Sequence, residues 1–269
     1  MVKHDCCDKE FAMKKLIALF TKIFPRQTLI RFSALFSFLI RPFYIGNKVE
    51  CPVCGRHFRK FLPYGYGEAM DNRMCPKCLS LERHRLIWLY LKQRSNFFEA
   101  PLKVLHFAPE QPFLKRFKAL KNLDYTTADL DSPIADLHLD VTNIDLPDDQ
   151  YDVVICNHVL EHVNDVNKAF SEIKRILKPG GWAILMVPIN PDVDTWEDPS
   201  IIDPEERKRC FGQYDHVRQF GRDYAQVLEN AGFTVDADHL YYDLTEEQRQ
   251  RMRLARPGEE LVYRVINSL

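Results

Sequence analysis

From residue 102 onward, the sequence alternates segments typical of buried strands with segments typical of amphipathic helices. The apolar run 151–157 (YDVVICN) has the length of a strand, and 165–178 (DVNKAFSEIKRILK) repeats apolar residues at helical spacing. Pro-Gly-Gly at 179–181 then favours a turn into the next strand. Strands separated by helices pair in parallel through crossover connections. The sequence therefore predicts an α/β domain with a doubly wound, mostly parallel sheet.

Polar residues follow the predicted strands at their carboxyl ends. The stretch 106–110 (HFAPE) follows the first strand, Asp129 the second and Asp140 the third, while Asn157 and His158 follow the fourth. In doubly wound sheets, ligands bind beyond the carboxyl ends of the strands. These positions are therefore the predicted ligand site.

Two Cys-x-x-Cys pairs precede this domain, Cys51 with Cys54 and Cys75 with Cys78, and twenty residues lie between the pairs. Each pair forms a tight turn whose two thiolates face one ion, so the four sulfurs are predicted to bind Zn²⁺ tetrahedrally. Four protein ligands leave no open coordination position, which indicates a structural site. Two local disulfides or redox-active pairs are the alternative.

The chain divides into three predicted parts, and their charges differ. Residues 1–48 form a basic, amphipathic helical segment, 49–100 a zinc-ribbon-like module followed by a helix, and 101–269 the α/β domain. The first hundred residues carry 18 Lys and Arg against 8 Asp and Glu, and the remainder carries 19 against 30. A basic first part is suited to phosphate, to an acidic membrane surface or to the acidic second part.

The segment 11–45 predicts two short amphipathic helices, broken at Pro25 and Pro42. We expect their apolar faces to pack on the protein, and binding to an anionic bilayer surface is the alternative. No apolar stretch reaches the 18 residues of a membrane-spanning helix, and the first residues do not resemble a secretion signal. A cytoplasmic protein is therefore expected, with peripheral contact at the inner face of the membrane as a further option.

Three segments of the second domain resemble one family. YDVVICNHVLEHV, LKPGGWAILMVP and FGRDYAQVLENAGFTV are similar to the fourth strand, the turn into the fifth strand and a later helix and strand of the class I S-adenosylmethionine-dependent methyltransferases, particularly those acting on small molecules. The resemblance covers about residues 102–269. It implies a Rossmann-like fold, S-adenosylmethionine as cofactor and methyl transfer as the reaction.

The resemblance also implies roles for residues at the strand ends. Asp129 matches the carboxylate that holds the ribose hydroxyls, and Asp140 matches the position that binds the adenine amino group. Val141 matches the apolar residue that covers the adenine ring. Asn157 and His158 are implied to face the methionine part and the opening for the substrate. Turn or capping roles are the alternatives for both aspartates.

One loop departs from the family's pattern. The family's first loop reads Gly-x-Gly-x-Gly, whereas this chain has His106, Phe107, Ala108, Pro109 and Glu110. Ala108 is small enough for the cofactor to approach, and Glu110 is suited to receive its ammonium group. Without glycine, we expect the loop to use positive φ less freely. A domain that binds the cofactor without catalysing a reaction therefore remains an alternative.

The residues His158, Glu161 and His162 share one face of a predicted helix. This triplet is similar to the Glu-x-x-Glu-His metal site of ubiquinone-pathway O-methyltransferases, with His158 in place of the first Glu. We expect it to support the site or to begin the helix.

The insertion after the fifth strand supplies a second set of candidates. In the sequence Asp-His-Val-Arg at 215–218, His216 is the predicted general base and Arg218 the predicted clamp for an acidic or phosphorylated acceptor. A polar surface loop would have much the same composition.

The predicted function is methyl transfer to a small-molecule, glycan or lipid-linked acceptor. A zinc-assisted RNA methyltransferase is the first alternative, because ribosomal-RNA guanine methyltransferases place a zinc module before the same fold. The basic and aromatic ribbon residues suited to RNA are Phe58, Arg59, Lys60, Phe61, Tyr64 and Tyr66. A catalytically inactive, zinc-organised binding protein is the second alternative.

Overall fold

A computed structural model describes residues 39–65, 69–254 and 260–268. The predictions for residues 1–38, which include most of the amphipathic segment, lie outside the described residues, as does Tyr66. The chain forms two compact units. The first runs to Leu81 and includes Gln250–Arg253, and the second comprises Glu82–Arg249 and Leu254–Leu269. The helix that the sequence analysis assigned to the ribbon module thus belongs to the second unit. The predicted limits at residues 48 and 100 stay predictions.

Two short antiparallel hairpins build the first unit. Strand β1 (Val49–Cys51) pairs with β2 (Arg56–Phe58), and β3 (Leu62–Tyr64) pairs with β4 (Met70–Met74). The first cysteine pair lies in the turn between β1 and β2, and the second pair follows β4. Both pairs are thus in tight turns, as predicted.

The second unit contains the remaining strands and the helices. Its strands are β5 (Leu102–Phe107), β6 (Leu123–Asp129), β7 (Leu137–His138), β8 (Tyr151–Cys156), β9 (Leu177–Ile184), β10 (Ile189–Asn190), β11 (Trp196–Glu197), β12 (Arg218–Gly221), β13 (Thr234–Asp238) and β14 (Val262–Ile266). The helices are α1 (Glu82–Gln93), α2 (Gln111–Lys118), α3 (Val166–Ile176), α4 (Pro204–Phe211), α5 (Tyr224–Asn230), α6 (Leu240–Asp243) and α7 (Glu246–Met252), the last of which extends into the first unit.

Seven strands form one sheet in the order β13-β14-β9-β8-β5-β6-β7. Strand β14 is antiparallel to both of its neighbours, and the other pairs are parallel. The predicted doubly wound, mostly parallel sheet is confirmed. Because β5 and β8 are adjacent and parallel, the polar residues that follow them lie at the same edge of the sheet.

Helix α3 shows why the sequence pattern predicted this fold. Asp165 caps its first turn by accepting a hydrogen bond from Lys168 N at 2.9 Å, and its apolar stripe is buried at Ala169, Phe170 and Ile173. The helix ends at Ile176, so it stops three residues before the predicted Pro-Gly-Gly stop at 179–181. Strand β9 begins at the next residue, where Leu177 pairs with Tyr151 of β8. Pro-Gly-Gly at 179–181 lies in an irregularity of β9, and regular pairing with β8 continues from Trp182.

The insertion between β9 and α5 forms a small sheet of its own. Strands β10, β12 and β11 pair in that order, and α4 lies between β11 and β12 in the chain. A backbone hydrogen bond connects this insertion to the segment after β8: Val217 N donates to Glu161 O at 3.0 Å. The insertion therefore reaches the carboxyl edge of the main sheet. None of the helices among the described residues combines the length and the apolar character needed to cross a membrane.

Candidate functional site

The four ribbon cysteines converge on one point. Their sulfur atoms all lie within 4.8 Å of one another, with Cys51 Sγ 3.5 Å from Cys78 Sγ and Cys54 Sγ 3.7 Å from Cys75 Sγ. These separations exceed the roughly 2 Å of a disulfide bond, and all four thiols are free. Cys51 and Cys75 are fully buried. This arrangement fits a tetrahedral zinc ion and does not show the alternative of local disulfides.

The loop after β5 takes the shape that a glycine would favour. Ala108 has φ +47°, and its N–H donates to Ala128 O at 2.8 Å. The loop thus reaches positive φ without a glycine, although the sequence predicted that it would do so less freely. The tight turn is determined by pairing with β6, and alanine accepts the conformation at a steric cost of about 1–2 kcal/mol.

This conformation gives a prediction for stability. Replacing Ala108 with Gly should raise the free energy of unfolding by about 1 kcal/mol, because glycine removes the steric cost. Ala108→Val should lower it by more, since a branched Cβ is strained at positive φ. Urea unfolding measures both effects. Ala119 has φ −88°, so Ala119→Gly is the matched control and should lower stability. Equal effects of the two glycine substitutions would contradict the strain.

Glu110 and His106 form a buried hydrogen-bonded chain. His106 Nε2 lies 2.9 Å from Glu110 Oε2, and His106 Nδ1 lies 2.7 Å from Tyr125 Oη. Since a carboxylate only accepts, we assign the ring proton to Nε2, and Tyr125 O–H then donates to Nδ1. His106 is fully buried, so its side chain orients Glu110 from within the protein. Its predicted direct contact with a cofactor stays a prediction.

Glu110 remains ionised despite its burial. Desolvation alone would raise its pKa, but the hydrogen bond with His106 and the nearby imidazole of His84 outweigh this effect and hold the pKa of Glu110 well below its usual value. Burial also lowers the pKa of His84 to about 4. Glu110 Oε1 lies 3.5 Å from His84 Nε2 and forms no hydrogen bond with the described residues. A negative charge is therefore available at the start of α2.

Asp129 and Asp140 both cap turns with one carboxylate oxygen. Asp129 Oδ1 accepts from the N–H groups of Asp131 and Ser132 at 3.0 and 2.9 Å. Asp140 Oδ1 accepts from the N–H and hydroxyl of Thr142, both at 2.8 Å. This is the turn role that the sequence analysis left open, and it leaves Oδ2 of each residue for a ligand. Val141, predicted to cover an adenine ring, is 5% exposed.

Asn157 and His158 connect the ends of β8 and β9. Asn157 Oδ1 accepts from Met186 N at 3.2 Å, and His158 N donates to Met186 O at 2.7 Å. Asn157 is buried, yet its Nδ2 has no hydrogen-bond partner among the described residues. His158 has φ +54°, which turns the chain sharply at the end of the strand. A buried amide donor without a partner costs about 1–3 kcal/mol and indicates a place for a ligand.

A second buried cluster follows β8. Glu161 is 2% exposed, and its Oε1 lies 3.3 Å from His158 Nδ1. Burial would raise the pKa of Glu161, but His158 outweighs it and keeps the pKa lowered. His216 is 3% exposed and His162 is partly exposed; their rings lie 4.8 Å apart. Burial lowers the pKa of His216.

Arg218 is placed differently from its predicted role. It is 2% exposed, and its guanidinium donates to backbone carbonyls of the loop after β8 and to Glu197, with Nε 2.8 Å from Glu197 Oε2. The acceptors in the loop are the carbonyl oxygens of Leu160, Val163 and Asn164. Because its donors are occupied, Arg218 holds this loop in place and is not available to clamp an acidic acceptor.

Sequence reasoning missed some of these residues. Tyr125 lies inside a predicted strand, where an aromatic residue reads as core, and only the parallel register brings it to His106. Glu161 was judged a supporting residue, although it is buried with an acceptor atom unsatisfied. The available signal was its spacing from His158, and the contact with His216 depends on the fold of the insertion.

A cavity of about 660 Å³ opens at the opposite edge of the sheet. Its lining includes Leu102 and Asp152, near the amino ends of β5 and β8. We give it no functional role, because ligands of doubly wound sheets bind at the carboxyl ends.

The sequence matches a family of methyltransferase domains and several curated methyltransferases. A family model described as a methyltransferase domain matches residues 74–238, more than half of the chain. An uncharacterized methyltransferase of Mycobacterium bovis is 28% identical over 87 residues, and two from Mycobacterium tuberculosis strains match equally. The match covers 32% of this chain and 44% of these relatives' length.

Solved structures show a weaker likeness. An S-adenosylmethionine-dependent methyltransferase from Mesorhizobium loti has a TM-score of 0.43 and 16% identity, and the match covers 67% of this chain and 96% of that one. Burkholderia thailandensis 1,6-didemethyltoxoflavin-N1-methyltransferase, with 1,6-didemethyltoxoflavin and S-adenosylhomocysteine bound, has a TM-score of 0.42 and 16% identity, covering 68% and 84%. At these values the likeness carries no argument by itself.

Proposed function

The chain belongs to the methyltransferase-domain family, and from that membership we propose that it transfers a methyl group from S-adenosylmethionine to a small-molecule, glycan or lipid-linked acceptor. Family membership supports the reaction class. The residues at the strand ends support the cofactor, because their charges and donors suit its parts.

The observation that carries this proposal is a row of buried, unsatisfied polar atoms along the carboxyl edge of the sheet. Of the eleven buried side-chain atoms without a hydrogen-bond partner in the described part of the chain, five lie here: Glu110 Oε1, Asn157 Nδ2, Glu161 Oε2, Asp215 Oδ1 and His216 Nε2. Each such atom costs free energy unless a ligand satisfies it. Such a concentration at the edge where ligands bind supports an occupied cleft.

The donor set fits S-adenosylmethionine. The Glu110 carboxylate would hold the ammonium group of the cofactor, and Asn157 Nδ2 would donate to the carboxylate of its methionine part. Asp129 Oδ2 would accept hydrogen bonds from the ribose hydroxyls. S-adenosylmethionine, when bound, supplies a methyl group on a sulfonium centre. The protein then has to orient the acceptor and exclude water, which is worth about 7–11 kcal/mol in well-oriented reactions.

The cluster of His158, Glu161 and His216 forms the acceptor side in this proposal. Methyl transfer joins the acceptor atom to the methyl carbon while the carbon–sulfur bond breaks and its electron pair stays on sulfur. A hydroxyl acceptor must also lose its proton, and Glu161 Oε2 and His216 Nε2, which have no hydrogen-bond partner among the described residues, are acceptor atoms suited to that task. Because Arg218 is occupied, we remove the acidic acceptor from the proposal.

The ribbon is proposed to hold structural Zn²⁺ through Cys51, Cys54, Cys75 and Cys78. Phe58 and Phe61, predicted to stack on bases, are buried, whereas Arg59 is exposed and Lys60 and Tyr64 are partly exposed. These last three residues keep RNA as the alternative substrate. RNA binding that weakens steeply with salt would favour that alternative.

Calorimetric titration with S-adenosylmethionine and S-adenosylhomocysteine tests the cofactor. We expect both to bind to the wild-type protein. Asp129→Asn should weaken binding about tenfold or more, because an amide nitrogen in place of Oδ2 cannot accept from a ribose hydroxyl, while Oδ1 still caps the turn. Asp131→Asn is the matched control on the same turn and should bind normally. No heat with either ligand at millimolar concentration would reject the enzyme.

Incubating a cell extract with the protein and isotopically labelled S-adenosylmethionine identifies the acceptor by mass spectrometry. A labelled product that depends on the protein is expected. Cofactor binding without any labelled product would favour the catalytically inactive alternative.

A further inference from the structure

Three side chains from two distant parts of the chain meet beside the proposed acceptor position. Glu161 and His162 follow β8, and His216 comes from the insertion before β12. One ligand atom of each, two imidazole nitrogens and a carboxylate oxygen, lies within 4.8 Å of the others. By spacing in the sequence, Glu161 and His162 group with His158. Only the fold brings His216 to them.

His216 is oriented in the way that metal-binding histidines are. Its Nδ1 lies 2.9 Å from Phe211 O, and since a carbonyl only accepts, Nδ1 carries the proton and donates. Nε2 then presents its lone pair, and it is buried without a partner among the described residues. A histidine that donates one ring N–H to a backbone carbonyl and turns the other nitrogen inward has the usual arrangement around a metal ligand.

Glu161 presents a second acceptor to the same point. One carboxylate oxygen contacts His158 Nδ1 at 3.3 Å, and the other, Oε2, is buried without a partner in the described part of the chain. This oxygen and His216 Nε2 form no hydrogen bond with each other or with another described residue. A cation satisfies both at once.

We propose that Glu161, His162 and His216 bind one divalent transition-metal ion, with Zn²⁺ the best fit. Two imidazoles and one carboxylate are a known ligand set of catalytic zinc, which keeps an open position for water or substrate. Ligand atoms around tetrahedral zinc lie about 3.3 Å apart, so atoms within 4.8 Å of one another have to approach by about 1.5 Å at most. The exposed side of His162 gives the ion access to solvent.

The supporting contacts are also in place. His162 Nδ1 lies 3.5 Å from Asp215 Oδ2, and Asp215 directly precedes His216 in the chain. The backbone bond from Val217 N to Glu161 O holds the two ligand-bearing segments together. Outer contacts of this kind orient metal ligands and typically affect affinity 10–100-fold.

This site deepens the proposed function and, for its role in catalysis, rests on it. The open coordination position of the ion would bind a hydroxyl oxygen of the acceptor, and the ion would lower the pKa of that hydroxyl. His216 would then act as a ligand rather than as the general base predicted from the sequence. The acceptor class becomes a hydroxylated molecule that offers an oxygen to the metal.

Metal analysis of the 269-residue chain tests the site, after the protein is saturated with Zn²⁺ and weakly bound ions are removed by dialysis. Because the ribbon binds its own ion, the readout is the difference between wild type and variant. His216→Ala and His162→Ala should each contain one zinc ion per chain less than wild type. His162 is partly exposed, so its variant should fold normally even if the His216 variant does not. His138→Ala, at an exposed position in β7, is the matched control and should keep the wild-type content.

Cobalt substitution separates the two sites. Co²⁺ bound by the four ribbon cysteines should show thiolate-to-cobalt charge-transfer absorption, and the histidine variants should retain it. Co²⁺ in the second site should add weaker absorption bands, and His162→Ala should remove them. Equal zinc content in wild type and His162→Ala would overturn the metal site. If S-adenosylmethionine still bound in that case, methyl transfer would stand without the metal. We expect His162→Ala to slow turnover about a hundredfold while its affinity for S-adenosylmethionine stays unchanged.

Discussion

Replacing Cys75 with serine should unfold the ribbon module. Cys75 is fully buried, and its sulfur lies 3.7 Å from Cys54 Sγ in the group of four. A serine oxygen is a poor substitute for a thiolate, and structural zinc contributes about 10–16 kcal/mol to folding in small domains. The two short hairpins of this unit have little core of their own, so losing the ion should remove most of its stability.

Limited proteolysis combined with metal analysis measures this effect. Cleavage within residues 39–81 should become rapid, and the zinc content should fall by one ion per chain. Cys210→Ser is the matched control, because Cys210 is a free cysteine outside the cluster, and it should change neither measurement. A Cys75→Ser protein with unchanged zinc content and protease resistance would show that the cluster holds no structural ion.

Replacing Arg218 with methionine should lower the free energy of unfolding by about 2–4 kcal/mol. The guanidinium is 2% exposed and donates to three carbonyl oxygens after β8 as well as to Glu197. Methionine fills similar space but donates no hydrogen bond, so the carbonyls of Val163 and Asn164 lose this donor, while Leu160 O keeps the bond from Val163 N at 3.4 Å. A buried, unsatisfied group costs about 1–3 kcal/mol. The loop that carries Glu161 should also lose its position, so turnover should fall together with stability.

Arg222→Met provides the comparison. Arg222 also pairs with a carboxylate, since its Nε lies 2.8 Å from Asp194 Oδ1, but the two side chains are 62% and 63% exposed. Exposed ion pairs contribute about 0–1 kcal/mol, so this variant should be nearly as stable as wild type. Urea unfolding of both variants decides the matter. Similar losses at the two positions would mean that the burial of Arg218 has no special importance.

The sequence was sufficient where periodicity and spacing carry the information. Strands and helices alternate with clear periods, so the parallel sheet and the buried stripe of α3 were predictable. The spacing of the two Cys-x-x-Cys pairs was equally sufficient, because four thiolates in two tight turns can converge without knowledge of the remaining fold.

The site was less predictable because its contacts depend on tertiary structure. Ala108 adopts positive φ since pairing with β6 determines the turn, and no local propensity predicts alanine there. The sequence around Arg218 does not indicate whether its guanidinium faces solvent or donates to three buried carbonyl groups. His216 lies 55 residues after Glu161 in the numbering, and only the folding of the insertion brings them together.

The position of β14 affects how the sheet can assemble. This strand follows β13 in the chain but lies between β9 and β13, so β13 has no partner on its inner side until Val262–Ile266 is in place. Pairing across such a separation in sequence forms slowly, because the intervening chain must first be ordered. During synthesis on the ribosome, the last part of the sheet would therefore wait for these five residues, and a nascent chain that lacks them would expose an unpaired edge of β9 to other chains.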